Sequence, residues 1–348
     1  MKNVWSASLG LSLVLAAAIS LAGCGGPPNP SPVNTAPATL AYVFGVESGT
    51  YGMLTYSTAP ANNGSPVASL RAAGQQGPIA TDSAGQIYIG GAPNPVDPND
   101  LGDIFIYPPN SRGNASPSRT IRLSFFPNRL AVDPTGRVYV ADLPDGYENG
   151  APMTVSVYAA DASGPATPLR TIVLTNVVPF VTDMVADAAG NLYLAALLRN
   201  PNQWTVAVYS PTANGPSTPA RTIDFGPDGL AWVYGVGVDS KGDIFANVCS
   251  GCYEGASTIE EFAPGASGAA TPINTINLTG GSLGQVQAGG PVRVDGAGNI
   301  FTSLALLTSD IQEVNVFYGF GPDATGDAVP TVQFAPPNGG WNGWIALN

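Results

Sequence analysis

One pattern is written five times along the chain, and its period limits the fold more than any other feature. A short apolar stretch, an Asp-x-x-Gly turn and a second apolar stretch run from Pro78 to Gly90, and the same order recurs at Leu130 to Ala141, Met184 to Ala195, Val236 to Ala246 and Val292 to Thr302. The aspartates that open the turns are Asp82, Asp133, Asp187, Asp239 and Asp295, at intervals of 51, 54, 52 and 56 residues. A period of this length with alternating β-type runs marks a repeat protein whose unit is a small sheet. In Asp-x-x-Gly the carboxylate accepts from the turn backbone and the glycine takes the positive φ, which specifies a three-residue hairpin loop. These aspartates are therefore read as structural. The calcium reading would need alternating Asp-x-Asp ligands, and the spacing lacks them.

Each repeat carries two further strand signals. One ends on an aromatic at Tyr56, Tyr107, Tyr158, Tyr209, Phe262 and Phe317; another opens with Arg119, Arg170, Arg221 or Asn274 followed by Thr-Ile. Between them lies a Gly-x-x-x-Pro loop, Gly113 to Pro117 in the first instance. Four short strands every fifty-odd residues predict an all-β chain, a β-propeller. The two ends set the blade count. Leu40 begins on a second-strand pattern, and Trp344 to Asn348 is a first-strand pattern 53 residues in phase behind Asp295. The C-terminal strand is expected to complete the N-terminal blade and close a six-bladed ring, leaving no free sheet edges at the seam. One domain over residues 39–348 follows.

Composition agrees. With 43 Gly and 33 Pro, long helices would be costly, whereas turns are well supplied. The net charge of −12 and the lack of any Lys/Arg cluster argue against nucleic acid as a partner. The sequence contains no histidine, which removes His-based acid–base catalysis, Ser-His-Asp and Cys-His arrangements and His metal sites.

Residues 1–23 have the charge, apolar run and small-residue end of a secretion signal. Leu21-Ala22-Gly23-Cys24 resembles the lipobox of bacterial lipoproteins; the alternative is an ordinary signal peptide with a chance cysteine. The resemblance implies cleavage before Cys24, acylation of that residue and a lipid bilayer as partner, since two or three acyl chains anchor durably. Gly rather than Asp at position 25 then implies the outer membrane of the cell envelope, on its periplasmic or surface face. Residues 24–38 form a Pro- and Gly-rich tether.

Over residues 39–348 the chain resembles the NHL-repeat and gluconolactonase-like six-bladed propellers, on the "apolar-Ala-Val-Asp-x-x-Gly-x-Ile-Tyr-Val-Ala" and "Val-x-Val-Tyr" motifs. That resemblance specifies fold rather than activity. Gluconolactonase-like enzymes hold a divalent metal with Glu, Asn and Asp at the axial tunnel, and the motifs here do not place that set residue by residue. No cofactor is expected, and a divalent cation such as calcium has no support in the sequence.

Counting back from each turn aspartate places side chains on the axis. Two residues back stand Ala80, Ala131, Val185, Gly237, Arg293 and Ala346; four back stand Pro78, Arg129, Asp183, Gly235, Pro291 and Trp344. Arg129, Asp183, Arg293 and Trp344 should point at the axis, with Tyr234 and Trp341 near the rim. They form either an internal ion pair that fills the tunnel, with Asp183 as the candidate partner of a buried arginine, or a subsite for a glycan or other small molecule. Arg119, Arg170 and Arg221 are read as structural, making contacts between blades or at the sheet edge. Cys249 and Cys252, a CxxC in a loop, are read as a disulfide rather than a zinc or redox site. The function expected is a monomeric, membrane-tethered, non-catalytic module binding a small-molecule, glycan or protein ligand. The alternative is a metal-dependent hydrolase or lyase of the gluconolactonase-like kind acting on a sugar or lactone.

Overall fold

A computed structural model describes residues 39–47, 50–59, 64–71, 77–91, 102–142, 151–227, 231–250, 257–278, 285–307, 313–336 and 344–348. Among these residues there is no helix, and the strands form six sheets. The first blade joins β25 (Ile345–Leu347) to β1 (Leu40–Glu47), β2 (Thr50–Ser57) and β3 (Ala68–Leu70). The second contains β4 (Ile79–Thr81), β5 (Ile87–Gly91), β6 (Asp103–Tyr107) and β7 (Arg119–Arg122). The third contains β8 (Pro127–Val132), β9 (Val138–Asp142), β10 (Thr154–Tyr158) and β11 (Arg170–Leu174). The fourth contains β12 (Val177–Ala186), β13 (Leu192–Arg199), β14 (Asn202–Tyr209) and β16 (Arg221–Pro227). The fifth contains β17 (Trp232–Val238), β18 (Ile244–Cys249), β19 (Ser257–Phe262) and β20 (Asn274–Leu278). The sixth contains β21 (Gln285–Val294), β22 (Ile300–Leu307), β23 (Glu313–Phe320) and β24 (Val332–Phe334). The chain is a six-bladed β-propeller, as the repeat period requires.

The second and third strands read as continuous apolar runs because both of their faces are covered. Every residue of β5 and β6 is buried. One apolar cluster lies between each pair of consecutive blades: Tyr42, Phe44, Ile87 and Ile89 join blades one and two, and Val43, Tyr56, Phe301 and Phe334 join six to one. Each fully buried Ile or Val there contributes about 1.5–3 kcal/mol. The inner strands crowd at the centre. A Cβ on Gly235 would collide with the Gly290 carbonyl oxygen, so the fifth and sixth blades meet there backbone to backbone.

The turn aspartates are structural. Asp133 is fully buried, and its Oδ1 accepts from the N–H of Thr135 at 2.9 Å and of Arg137 at 3.0 Å, as well as from the Thr135 hydroxyl. Its Oδ2 accepts from Arg137 Nε at 2.6 Å and from the Tyr139 hydroxyl at 3.1 Å. Burial opposes ionisation of Asp133, but the bonds from Thr135 and Arg137, together with the Arg137 charge, outweigh it and hold the carboxyl below its usual range. Tyr88 bonds Asp82 and Tyr193 bonds Asp187 in the same way. The fifth blade has Phe245 at that position, and Asp239 keeps bonds from the backbone of Lys241 and Asp243.

Blades are also joined at the outer edge. Arg119, Arg170 and Arg221 donate to Ala162, Ala213 and Ala266 carbonyls of the following blade at 2.8, 2.8 and 2.6 Å, and Asn274 makes the same reach to Ala324 at 2.9 Å. Their loops hold Gly113, Gly164, Gly215, Gly268 and Gly326 at φ of 57–64°, and each glycine pairs in parallel with the outermost strand of the preceding blade. In the fourth blade the pairing segment is long enough to count as β15 (Gly215–Ser217).

The seam closes as expected. β25 pairs antiparallel with β1, Ala41 opposite Leu347 and Val43 opposite Ile345. Asn348 takes the place of the turn aspartate: its Oδ1 accepts from Leu40 N–H at 2.9 Å, and its Nδ2 donates to the Tyr42 hydroxyl at 3.2 Å. One register expectation fails. In the sixth blade Ile300 pairs with Phe320, not Phe317, so Phe320 is the counterpart of Phe262, which pairs with Ile244. The β22–β23 arms are eight residues each, longer than the fifth-blade pair, and the aromatic run Phe317 to Phe320 hides the shift. The interval to the loop glycine gives the right answer, because Phe262 to Gly268 and Phe320 to Gly326 are both six residues.

Candidate functional site at the channel mouth

The inner strands β4, β8, β12, β17, β21 and β25 surround the axis. Residues two before the turn aspartate face it: Ala80, Ala131, Val185, Arg293 and Ala346 line an axial cavity of about 140 Å³. Above them the strands are not regular. The pairing shifts register between Pro127 and Arg129, between Val181 and Asp183, between Val233 and Gly235, and between Gly289 and Val292. The extra residue falls five before the turn aspartate in blades three, four and five: Asn128, Thr182 and Tyr234. A bulge re-aims the side chains around it, and here it recurs at the mouth of the channel.

The re-aimed side chains form a closed set. Asp183 is 1 % exposed and holds Arg293 through two bonds, Nη1 to Oδ2 and Nη2 to Oδ1, both at 2.9 Å. The same carboxylate accepts from the N–H of Met184 at 2.9 Å and of Val236 at 3.0 Å, which ties blade four to blade five. Arg293 also donates to the carbonyls of Val292 and Val236. The bidentate geometry and the filled acceptor set are what a buried ion pair needs to offset desolvation.

Arg129 goes elsewhere. Its guanidinium lies 4.7 Å from the centre of the Trp344 ring, and it donates to the Thr182 and Asn128 carbonyls at 2.8 Å each. Burial pushes Arg129 down to about 10, with the nearby Asp183 carboxylate opposing the shift. The structure thus joins Asp183 to Arg293, which lines the axial cavity, and Arg129 to Trp344. Tyr234 is half-buried at the rim, its ring stacked on Trp232 with centroids 6.2 Å apart and an interplanar angle of 16°. Trp341 lies outside the described residues, as do Cys24 and Cys252; Cys249 is buried at the end of β18.

Counting three residues further back reaches a group that the sequence reasoning missed. Seven before the turn aspartate stand Phe126, Phe180 and Trp232 in blades three to five. Phe126 is 55 % exposed and Phe180 51 % exposed. Phe180 meets the Trp204 ring edge-on at 5.9 Å and the Trp232 ring edge-on at 6.5 Å.

Among the described residues no group of three or more His, Cys, Asp or Glu side chains is placed to hold a metal ion. No protein-family model matches the chain, and no curated protein does either. Solved structures share the fold. A protein of unknown function from Bacteroides caccae is similar over 89 % of this chain and 98 % of its own, at 10 % identity and a TM-score of 0.55. A luciferin-regenerating enzyme is similar over 85 % of this chain and 91 % of its own, at 12 % identity and a TM-score of 0.51. At such identities the likeness is one of architecture, and function has to be argued from the site.

Proposed function

We propose that this propeller is a non-catalytic binding module, held at the outer membrane by acylated Cys24 and the 24–38 tether, which takes a small-molecule, glycan or protein ligand at the channel mouth. It acts as a monomer of the NHL-like type and does not bind nucleic acid. The observation that carries the reading is the state of the mouth. Its charged side chains are already engaged: Asp183 is saturated by Arg293 and two backbone N–H groups, and Arg129 lies on Trp344. A general base or a nucleophile needs a free lone pair aimed at substrate. Asp183, the carboxylate on the axis, has none to give, while aromatic surface around it remains open. The Cys249–Cys252 pair is proposed as a disulfide bracing a loop of the fifth blade, consistent with an oxidising compartment and a buried Cys249.

The test is thermal stability of the full chain against sugars, lactones and envelope glycan fragments, with lactone hydrolysis followed in parallel with and without added Ca²⁺. A ligand should raise the melting temperature of the wild type but not of Trp344→Ala, with no turnover. Metal-dependent lactone hydrolysis that tracks the mouth residues would overturn the reading in favour of an enzyme.

A further inference from the structure

The rim of the channel repeats one residue type at one repeat position. Phe126, Phe180 and Trp232 stand at equivalent places on blades three, four and five, and Trp341 has the same place in the sequence phase of the first blade. The inner strands β8, β12 and β17 are side by side, so the three described aromatics follow the circumference of the mouth. Two aromatics, Phe126 and Phe180, stand among the exposed large hydrophobics of the described residues, and Trp232 beside them is half-buried. Phe126 and Phe180 are more than half exposed, whereas Tyr42, Tyr88, Tyr139 and Trp204 are fully buried. Exposing large aromatic faces costs solubility and stabilises no core, so a repeated, phased set of them marks a contact surface. Around Phe180 the set is also organised. Trp232 and Tyr234 stack nearly parallel, the Trp204 ring lies 5.2 Å from that of Trp232 at a tilt of 35°, and Phe180 stands edge-on to both tryptophans.

The charge beside this rim selects the ligand. Two guanidiniums, Arg129 and Arg293, and one buried carboxylate, Asp183, make the floor locally positive, which disfavours a cation such as a quaternary ammonium. The chain as a whole carries −12, which disfavours a polyanion. A purely apolar ligand would need an apolar floor, and this floor is ionic. A neutral ligand remains, with flat C–H faces for the rings and hydroxyls for the polar mouth. Aromatic ring faces carry negative charge density and attract such polarised C–H groups.

We propose that Phe126, Phe180 and Trp232, with Tyr234 stacked behind, form a rim that binds a neutral carbohydrate chain, successive sugar rings meeting aromatics on successive blades. This deepens the channel-mouth reading given above and rests on it. The rim spans three blades, so an oligosaccharide is the unit recognised, and affinity should rise with chain length until the rim is filled.

The experiment uses the full chain and defined probes: malto-, cello-, xylo- and mannohexaose, with polygalacturonate and choline as charged comparators. Binding is read by calorimetry and by tryptophan fluorescence. At least one neutral hexaose should bind more tightly than its disaccharide and change the tryptophan emission. Phe180→Ala and, on the neighbouring blade, Phe126→Ala should each weaken it about tenfold, while Leu169→Ala, an exposed residue just before the outer strand β11, should leave it unchanged. Two substitutions on different blades keep the result readable if one of them perturbs folding, which circular dichroism reports. Absence of binding by all four neutral hexaoses, or tighter binding of polygalacturonate or choline, overturns the proposal. So does hexaose binding that both Phe variants retain. A ligand of another class that depends on Trp344 would overturn the carbohydrate assignment and leave the channel-mouth reading standing. A hexaose that depends on Phe180 but not on Trp344 would do the reverse.

Discussion

Replacing Asp133 by alanine should cost far more than replacing Asp239, although both open the same turn. Asp133 is fully buried and receives five hydrogen bonds, one of them from a cation at 2.6 Å. Removing it strands the Tyr139 hydroxyl and the turn N–H groups, and leaves Arg137 without its anion. Bonds to a charged group contribute about 1.5–3 kcal/mol singly but do not add, so a loss of about 3–5 kcal/mol is expected. Asp239 is partly exposed and receives two backbone bonds, with no tyrosine in reach because Phe245 stands there. Its loss should cost about 1–2 kcal/mol. With a guanidinium m-value of about 5 kcal/mol/M, the midpoint should fall by roughly 0.8 M for Asp133→Ala against roughly 0.3 M for Asp239→Ala. The difference should also depend on pH. Asp133 is held below its ordinary pKa in the folded protein, so its contribution is complete above the unfolded value of about 3.9 and disappears as pH falls through the folded one. Equal midpoint shifts for the two variants, or a gap that does not narrow as the pH is lowered below the unfolded value, would refute the account of the turns.

The other predictions concern the axis and the seam. Asp183→Ala should lower stability by about 3–5 kcal/mol because it leaves the part-buried Arg293 without its anion beside two unmatched N–H groups, while Asp183→Leu combined with Arg293→Met should recover the ionic part of that loss in a double-mutant cycle. Gly235→Ala should disrupt the contact between blades five and six, since its methyl group would fall on the Gly290 carbonyl; a melting temperature within a degree of wild type would contradict the close approach. Deleting residues 344–348 uncovers one edge of β1 and the Ile345 pocket, and should abolish cooperative unfolding or drive aggregation, measured by differential scanning calorimetry and light scattering.

The periodic parts of the fold were legible because they rest on local chemistry. An Asp-x-x-Gly turn behaves alike wherever it occurs, so the hairpins, the blade count and the strand that crosses the seam all follow from spacing. The recurrence of Arg119, Arg170 and Arg221 at one structural position was legible for the same reason, while their reach to the next blade rather than along the sheet edge is settled by the carbonyls they bond. Legibility ended where strands depart from a two-residue alternation. The bulges at Asn128, Thr182 and Tyr234 break the simple rule of facing sides, so sequence placed both arginines on the axis but could not decide which one Asp183 takes. Arg293 has that place because it lies below the bulge level, two before its turn, while Arg129 is carried across to Trp344. The aromatic rim lies beyond the same bulges. Its members share a count from the turn, which is a signal that a longer reading frame would have caught.

The bond between Asn348 and Leu40 makes the sixth hairpin a cut version of the other five. In the second blade three residues, Ser83, Ala84 and Gly85, bridge the same two positions, Asp82 and Gln86. A comparable three-residue linker from Asn348 to Leu40 would therefore leave an unbroken circle of sheets, and new termini could be opened at any of the aspartate turns. The order in which the blades leave the ribosome is then incidental to the finished ring.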